Sequence, residues 1–275
     1  MTETLVIDVT PTDRLPTQIA VHVCGRGPLA VLLHGFPLDH RMWSGVMQTK
    51  LRRHRTLCAI DLRGHGQSPW RGDAAHTMEA LAEDVAAVVH ALGEEQADVC
   101  GLSMGGYVAL ALHASHPSLV RSLVLSNTRP SSDNDAQRSG RAASIEAVAR
   151  EGRGAIAQAM LPKLTSPVAD PLHVAQLRTM IEGTPAETIV ADQRGMLLRA
   201  DRSAELREGD TPTLVIAGDQ DALTPLGETM AWTKELLDSE VAVIAETGHM
   251  SPLEAPEAWS EVVAAFWREQ SSAPR

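Results

Sequence analysis

Val99-Cys100-Gly101-Leu102-Ser103-Met104-Gly105-Gly106 is the stretch on which the reading of this chain turns. It has the pattern Gly-x-Ser-x-Gly, with an apolar run before it and a helix-like run, Gly105–Ala114, after it. The pattern has a physical meaning. A serine on a sharp strand-to-helix turn is lifted above the edge of a sheet, and glycines two positions away on each side let the strand and helix backbones approach. Five residues of this kind also arise by chance. The strand and helix around them make Ser103 a candidate nucleophile rather than a helix-capping serine.

Working outward, the first half of the chain alternates short apolar runs with amphipathic stretches. Thr4–Val9 and Gln18–Val23 read as strands joined by a loop containing Pro11 and Pro16. Leu29–Leu33 is apolar throughout, which suits a strand buried on both faces, and Thr56–Ile60 is a second short strand. Trp43, Met47 and Leu51 recur at four-residue spacing, which predicts a helix over Arg41–His54. Thr77 precedes a stripe of Met78, Leu81, Val85, Val88, Val89 and Leu92 that ends at Gly93, a capped helix. Val120–Leu125 is again a strand. Such alternation implies parallel βαβ units. The rhythm stops between Arg129 and about Asp210, where the segments near Ala136–Arg150, Gly154–Leu161, Pro171–Glu182 and Pro185–Arg199 are helix-like. It resumes with strands at Thr213–Ala217 and Val241–Ala245 and helices at Gly227–Leu237 and Pro256–Glu269. The expected organisation is an α/β core of residues 1–128 and 211–275 with a helical cap at 129–210.

Composition narrows the function. The chain has 275 residues, of which 44% are hydrophobic and 21% charged, enough for one large domain with a sizeable core and unlike disordered or collagen-like chains. No stretch approaches the roughly 20 apolar residues of a membrane span, and Met-Thr-Glu-Thr at the start lacks the basic and apolar regions of a secretory signal. A formal net charge of −11 and scattered arginines argue against nucleic acid and against an acidic membrane as partners. Cys24, Cys58 and Cys100 sit in or beside apolar stretches without pairing spacing; they read as buried thiols in a reducing, cytoplasmic setting.

A serine hydroxyl is a weak nucleophile and needs a base. Of the 11 histidines, His22, His90 and His113 lie within predicted strands or helices, and His34 and His65 sit in glycine-containing turns. His249 occupies a Gly248-His249-Met250 loop directly after a late strand, the place from which a base reaches Ser103. The base in turn needs a carboxylate. Asp219 and Asp221 compete on one loop; Asp221, further from the strand end, is the preferred partner. The order Ser103, Asp221, His249 is the Ser…Asp…His order of one hydrolase class and of neither common serine-protease class. An oxyanion needs backbone donors. Met104, just after Ser103, and Phe36, in the turn His34-Gly35-Phe36-Pro37 after the early buried strand, carry the candidate N–H groups.

Four landmarks together resemble the α/β-hydrolase superfamily over nearly the whole chain. They are His34–Pro37, Asp61-Leu62-Arg63-Gly64-His65-Gly66-Gln67-Ser68, Gly101–Gly106, and the pair Asp221 with His249. The resemblance implies an eight-stranded, mostly parallel sheet with helices on both faces. It also implies hydrolysis through an acyl-serine, with no metal and no organic cofactor. Leu123–Thr128 and the small cap resemble 3-oxoadipate enol-lactonases, small carboxylesterases and cofactor-free haloperoxidases. A small-molecule ester or lactone is therefore the expected substrate. The alternatives are a perhydrolase or haloperoxidase, a carbon–carbon bond hydrolase, and a ligand receptor on the same fold. The cap carries Met160, Met180 and Met196 and no aromatic ring. The expected pocket has a flexible methionine roof at Met160 and Met180, aromatic walls from Trp43 and Trp70, and few fixed polar groups.

Overall fold

Leu29–Leu33 is buried at every position, as a strand covered on both faces must be. The computed structural model describes residues 2–10, 16–236 and 239–272. Pro11 of the first loop and Leu237 at the end of one expected helix lie outside the described residues. The strands are β1 (Glu3–Val9), β2 (Thr17–Gly25), β3 (Leu29–Leu33), β4 (Thr56–Ile60), β5 (Ala97–Leu102), β6 (Val120–Ser126), β7 (Thr213–Gly218) and β8 (Ser239–Ile244). They form an 8-stranded sheet in the order β1-β2-β4-β3-β5-β6-β7-β8. β2 runs against β1 and β4, and every other pair is parallel. The expected eight-stranded, mostly parallel architecture is thus present.

The helices are α1 (Met78–Ala91), α2 (Met104–Ser115), α3 (Asp135–Glu151), α4 (Gly154–Leu164), α5 (Pro171–Gly183), α6 (Ala186–Leu198), α7 (Ser203–Glu208), α8 (Leu226–Thr233), α9 (Ser251–Glu254) and α10 (Pro256–Ser272). Thr77 caps α1 by accepting from the Ala80 N–H, and Gly93 beyond its end has φ +80°, the left-handed stop that glycine favours. α3 to α7 all lie between β6 and β7, and no strand interrupts them among the described residues. No described helix is long and apolar enough to cross a membrane.

One predicted element takes another form. Arg41–His54 is not one α-helix but three 3-10 turns, His40–Trp43, Val46–Gln48 and Lys50–Arg53. Thr49 is extended, at φ −70° and ψ 177°, and its hydroxyl accepts from the Leu51 N–H, so it ends one turn and caps the next. Trp43, Met47 and Leu51 are still buried, which is why their spacing imitates a continuous helix.

The sheet topology chooses where a site can form. Chain order reverses around β3, with β4 on one side and β5 on the other. In open α/β sheets the loops leaving such a switch diverge and open a crevice beyond the C-terminal strand ends. Here those loops are the turn after β3, which carries Gly35 and Phe36, and the turn after β5, which carries Ser103.

Candidate active site

Ser103 joins β5 directly to α2 with φ +53° and ψ −113°, a region that non-glycine residues rarely occupy. The strain persists because the surroundings hold it. The Ser103 N–H donates to the Ser126 carbonyl at 3.0 Å, and the Thr128 hydroxyl donates to the Ser103 carbonyl at 2.8 Å. A Cβ on Gly101 would run into the backbone of Gly105, and one on Gly105 would run into the Leu33 carbonyl. Glycine is required at both places by close backbone approach. Met104 opens α2, where a backbone N–H has no intrahelical partner. A Cβ on Gly35 would lie 2.8 Å from Leu102 Cδ2 and 3.5 Å from Ser103 Cβ, so the turn after β3 packs against the elbow.

His249 follows β8, and its Nδ1 donates to Asp221 Oδ2 at 2.8 Å. Both side chains are buried. Asp221, in the loop after β7, also accepts from Asn127 Nδ2 at 2.9 Å, from the backbone N–H groups of Leu223 (2.7 Å) and Thr224 (2.9 Å), and from the Thr224 hydroxyl. Burial by itself would raise this carboxyl. The His249 imidazole and the hydrogen bonds from His249 and Thr224 outweigh it and hold Asp221 well below the usual carboxylate range. An ionised Asp221 pins the His249 proton on Nδ1 and leaves Nε2 as the nitrogen able to accept one. Asp219 is exposed.

Asn127 was not singled out from the sequence. It stands just after β6 with φ +48°, donates to Asp221, and accepts from the Ser251 hydroxyl at 2.6 Å. A polar residue directly beyond a buried parallel strand, beside the strand that bears the acid, was the available signal.

Ser103 and His249 line the same cleft, of about 240 Å³. Phe36 and Met160 line it, and Tyr107, Met196 and Leu223 add to the apolar wall. Three expected pocket residues do not. Trp43 is fully buried against Trp259, ring centroids 5.3 Å apart, and is a core residue. Met180 is fully buried inside the helical segment. Trp70 is exposed and outside the cleft. The polar share is also larger than expected, with Arg129, Asp133, Arg141 and Gln193 at the wall. Asp133 receives Arg141 and Arg199, each at 2.5 Å, and Arg199 lies over the Tyr107 ring at 4.2 Å. Burial would raise the Asp133 carboxyl, but the two guanidinium groups lower it below its ordinary value.

The remaining candidates have other surroundings. His34 and His65 are fully buried beneath the turns that bear them. Burial, with a smaller effect of His65, lowers His34 to about 4 and keeps it neutral. Burial pushes the Cys58 thiol up to about 12 and raises Cys100 and Cys24, so these thiols stay protonated and inert. His22, His40 and Asp61 bring three potential metal-donor atoms within 4.8 Å of one another. Asp61 is also a hydrogen-bond hub, accepting from the His40 and Gln67 N–H groups and from both imidazoles.

A family model described as the alpha/beta hydrolase fold matches residues 28–166. The chain is 32% identical to a pimeloyl-[acyl-carrier protein] methyl ester esterase of Chromobacterium violaceum, over 84% of this chain and 91% of that protein. It is 27% identical to 3-oxoadipate enol-lactonase 1 of Acinetobacter baylyi, over 93% and 95%. Among solved structures, a malate-bound thermophilic esterase from Thermogutta terrifontis superposes with a TM-score of 0.92 at 33% identity, covering 97% of this chain and 99% of that one. A strained serine at the end of β5, a sheet that reverses around β3, and matches that span nearly the whole chain lead to one assignment: the protein belongs to the family with the alpha/beta hydrolase fold.

Proposed function

We propose that the protein hydrolyses small carboxylic esters or lactones through an acyl-serine intermediate on Ser103. The observation that carries this reading is a strained Ser103 sharing one cleft with His249, whose other ring nitrogen is held by Asp221 at 2.8 Å. Ser103 Oγ attacks the carbonyl carbon as His249 Nε2 takes its proton. The backbone N–H groups of Phe36 and Met104 receive the developing oxyanion. His249 then gives the proton to the leaving alcohol, and a water repeats the sequence to release the acid and restore the serine. Asp221 orients His249 and stabilises its charged form without taking the proton. The helices of 129–210 act in this reading as a cap over the core formed by 1–128 and 211–275. The relatives named above as esterases and an enol-lactonase support the substrate class. A cleft of about 240 Å³, below the roughly 300–1,000 Å³ range typical of ligand pockets, supports a small substrate. Free, buried cysteines support the reducing, cytoplasmic setting.

The test is turnover of p-nitrophenyl butyrate together with labelling by a fluorophosphonate probe. Wild type is expected to do both, and Ser103→Ala to do neither while remaining folded. Retention of more than about a tenth of the activity by Ser103→Ala would remove Ser103 as nucleophile.

A further inference from the structure

Helix α6 has two working faces. Gln193 and Met196 line the cleft. Thr188, Asp192 and Gly195 are pressed onto the core. The Thr188 hydroxyl donates to the Gly64 carbonyl at 3.1 Å. Asp192 accepts from His65 Nε2 at 2.9 Å on one oxygen and from His76 Nδ1 at 2.7 Å on the other. The His76 N–H donates to the Ala191 carbonyl at 2.9 Å, and a Cβ on Gly195 would run into the His76 carbonyl. Just ahead of α6, the Thr184 hydroxyl donates at 3.0 Å to the carbonyl of Pro37, the residue after Phe36.

The centre of this contact is charged and closed off from bulk solvent. The side chains of Asp192, His65 and His76 are all 0% exposed. His76 Nε2 lies 3.8 Å from Asp73, which also pairs with Arg63 at 2.9 Å, and the His65 ring lies 4.7 Å from that of His34. Burial would raise the Asp192 carboxyl and lower His65, yet their mutual attraction reverses both directions. Freeing α6 would strand a buried carboxylate or two buried imidazoles, and an uncompensated buried charge is strongly unfavourable. A helix held in this way is a fixed wall of the cleft rather than a swinging lid.

We propose that Asp192 is a positioning residue: its pairing with His65 and His76 fixes α6, and through Gln193 and Met196 sets which substrates fit beside Ser103. The inference rests on the ester-hydrolase reading for its kinetic consequence. The smallest esters need little beyond the elbow, the base and the oxyanion donors, whereas bulkier ones must also fit the wall.

The experiment compares wild type, Asp192→Asn and the milder, isosteric Thr188→Val. It measures kcat and KM for methyl acetate and for p-nitrophenyl hexanoate, together with hydrogen exchange over residues 186–198. In Asp192→Asn the ratio of kcat/KM for hexanoate to that for acetate is expected to fall about tenfold, mostly through KM, because a modest misplacement in a cleft is felt at that scale. Thr188→Val should move the ratio in the same direction by less, and exchange in α6 should rise in both variants. Equal losses on the two esters would mark a merely structural role and overturn the proposal. Unchanged exchange in α6 would overturn it as well. If wild type hydrolysed neither ester, the ester reading would fail, and the exchange measurement would still decide whether Asp192 anchors α6.

Discussion

Asp221→Asn tests the core of the proposed chemistry. The Asp221 carboxylate accepts from two backbone N–H groups on Oδ1 and from His249, Asn127 and Thr224 on Oδ2. Asparagine keeps the shape but turns one oxygen into a donor. The Oδ1 side faces backbone donors that cannot change, so the new NH2 must point to the Oδ2 side. There the Thr224 hydroxyl can rotate to accept, and the His249 ring can move its proton from Nδ1 to Nε2. That second change removes the lone pair meant for the Ser103 proton. Tautomer errors of this type lower kcat by about four orders of magnitude, or about 5.4 kcal/mol of barrier. Asn127 Nδ2 is left facing another donor, a buried mismatch worth about 1–3 kcal/mol of stability. At roughly 2–4 °C per kcal/mol for a chain of this size, the melting temperature should also fall by several degrees. Asp219→Asn, on an exposed side chain, should change neither quantity measurably. The assay is kcat on p-nitrophenyl butyrate alongside thermal melting. If Asp221→Asn kept more than about a tenth of kcat, or if Asp219→Asn did more damage, the assignment of the acid would be wrong.

Other outcomes follow from the same geometry. Trp43→Ala should lose about 3–5 kcal/mol of stability with KM little altered, because Trp43 packs on Trp259 and not in the cleft; a raised KM at unchanged melting temperature would return it to the cleft. Gly105→Ala should destabilise by at least about 1–3 kcal/mol, since its Cβ meets the Leu33 carbonyl. Gly227→Ala, on an exposed helical position with nothing within 4 Å, should stabilise by about 0.5–1 kcal/mol; equal effects in calorimetry would contradict the packing argument. His34 is lowered from 6.5 to about 4 by burial, so the unfolded chain binds its proton first as the pH falls. Its contribution is complete above pH 6.5 and declines toward pH 4, by at most about 3 kcal/mol. His65, raised, acts in the opposite sense, losing its contribution as the pH climbs through its folded value. Denaturant melts between pH 4 and 7 should show the acid-side decline flatten in His34→Gln. Catalytic efficiency should rise from acetyl to butyryl or hexanoyl esters, each buried methylene adding at most about 0.8 kcal/mol, and then fall. A maximum at palmitoyl with interfacial activation would contradict a cleft of about 240 Å³.

The sequence by itself determined whatever neighbouring residues decide among themselves. The glycines around Ser103 announce a strained turn because only glycine permits the backbone approach needed there. Thr77 and Gly93 bound α1 because caps act within one turn, and the unbroken apolar run of β3 reports burial on both faces. Even local spacing misled where two backbones bury the same residues: Trp43, Met47 and Leu51 reach the core from 3-10 turns as well as they would from one helix. The loop order Ser103, Asp221, His249 was legible, and the hydrogen bond that joins the last two appeared only in the folded chain. Which methionines of residues 129–210 face the cleft was decided by how the helices they sit on pack. Met196 and Met160 line it, and Met180 is buried. The bonds from Asn127 to Asp221, from Arg199 to Asp133 and from Asp192 to His65 join residues 94, 66 and 127 positions apart. No propensity or period encodes such partners, because a buried polar group takes whichever partner the packing brings within 3 Å.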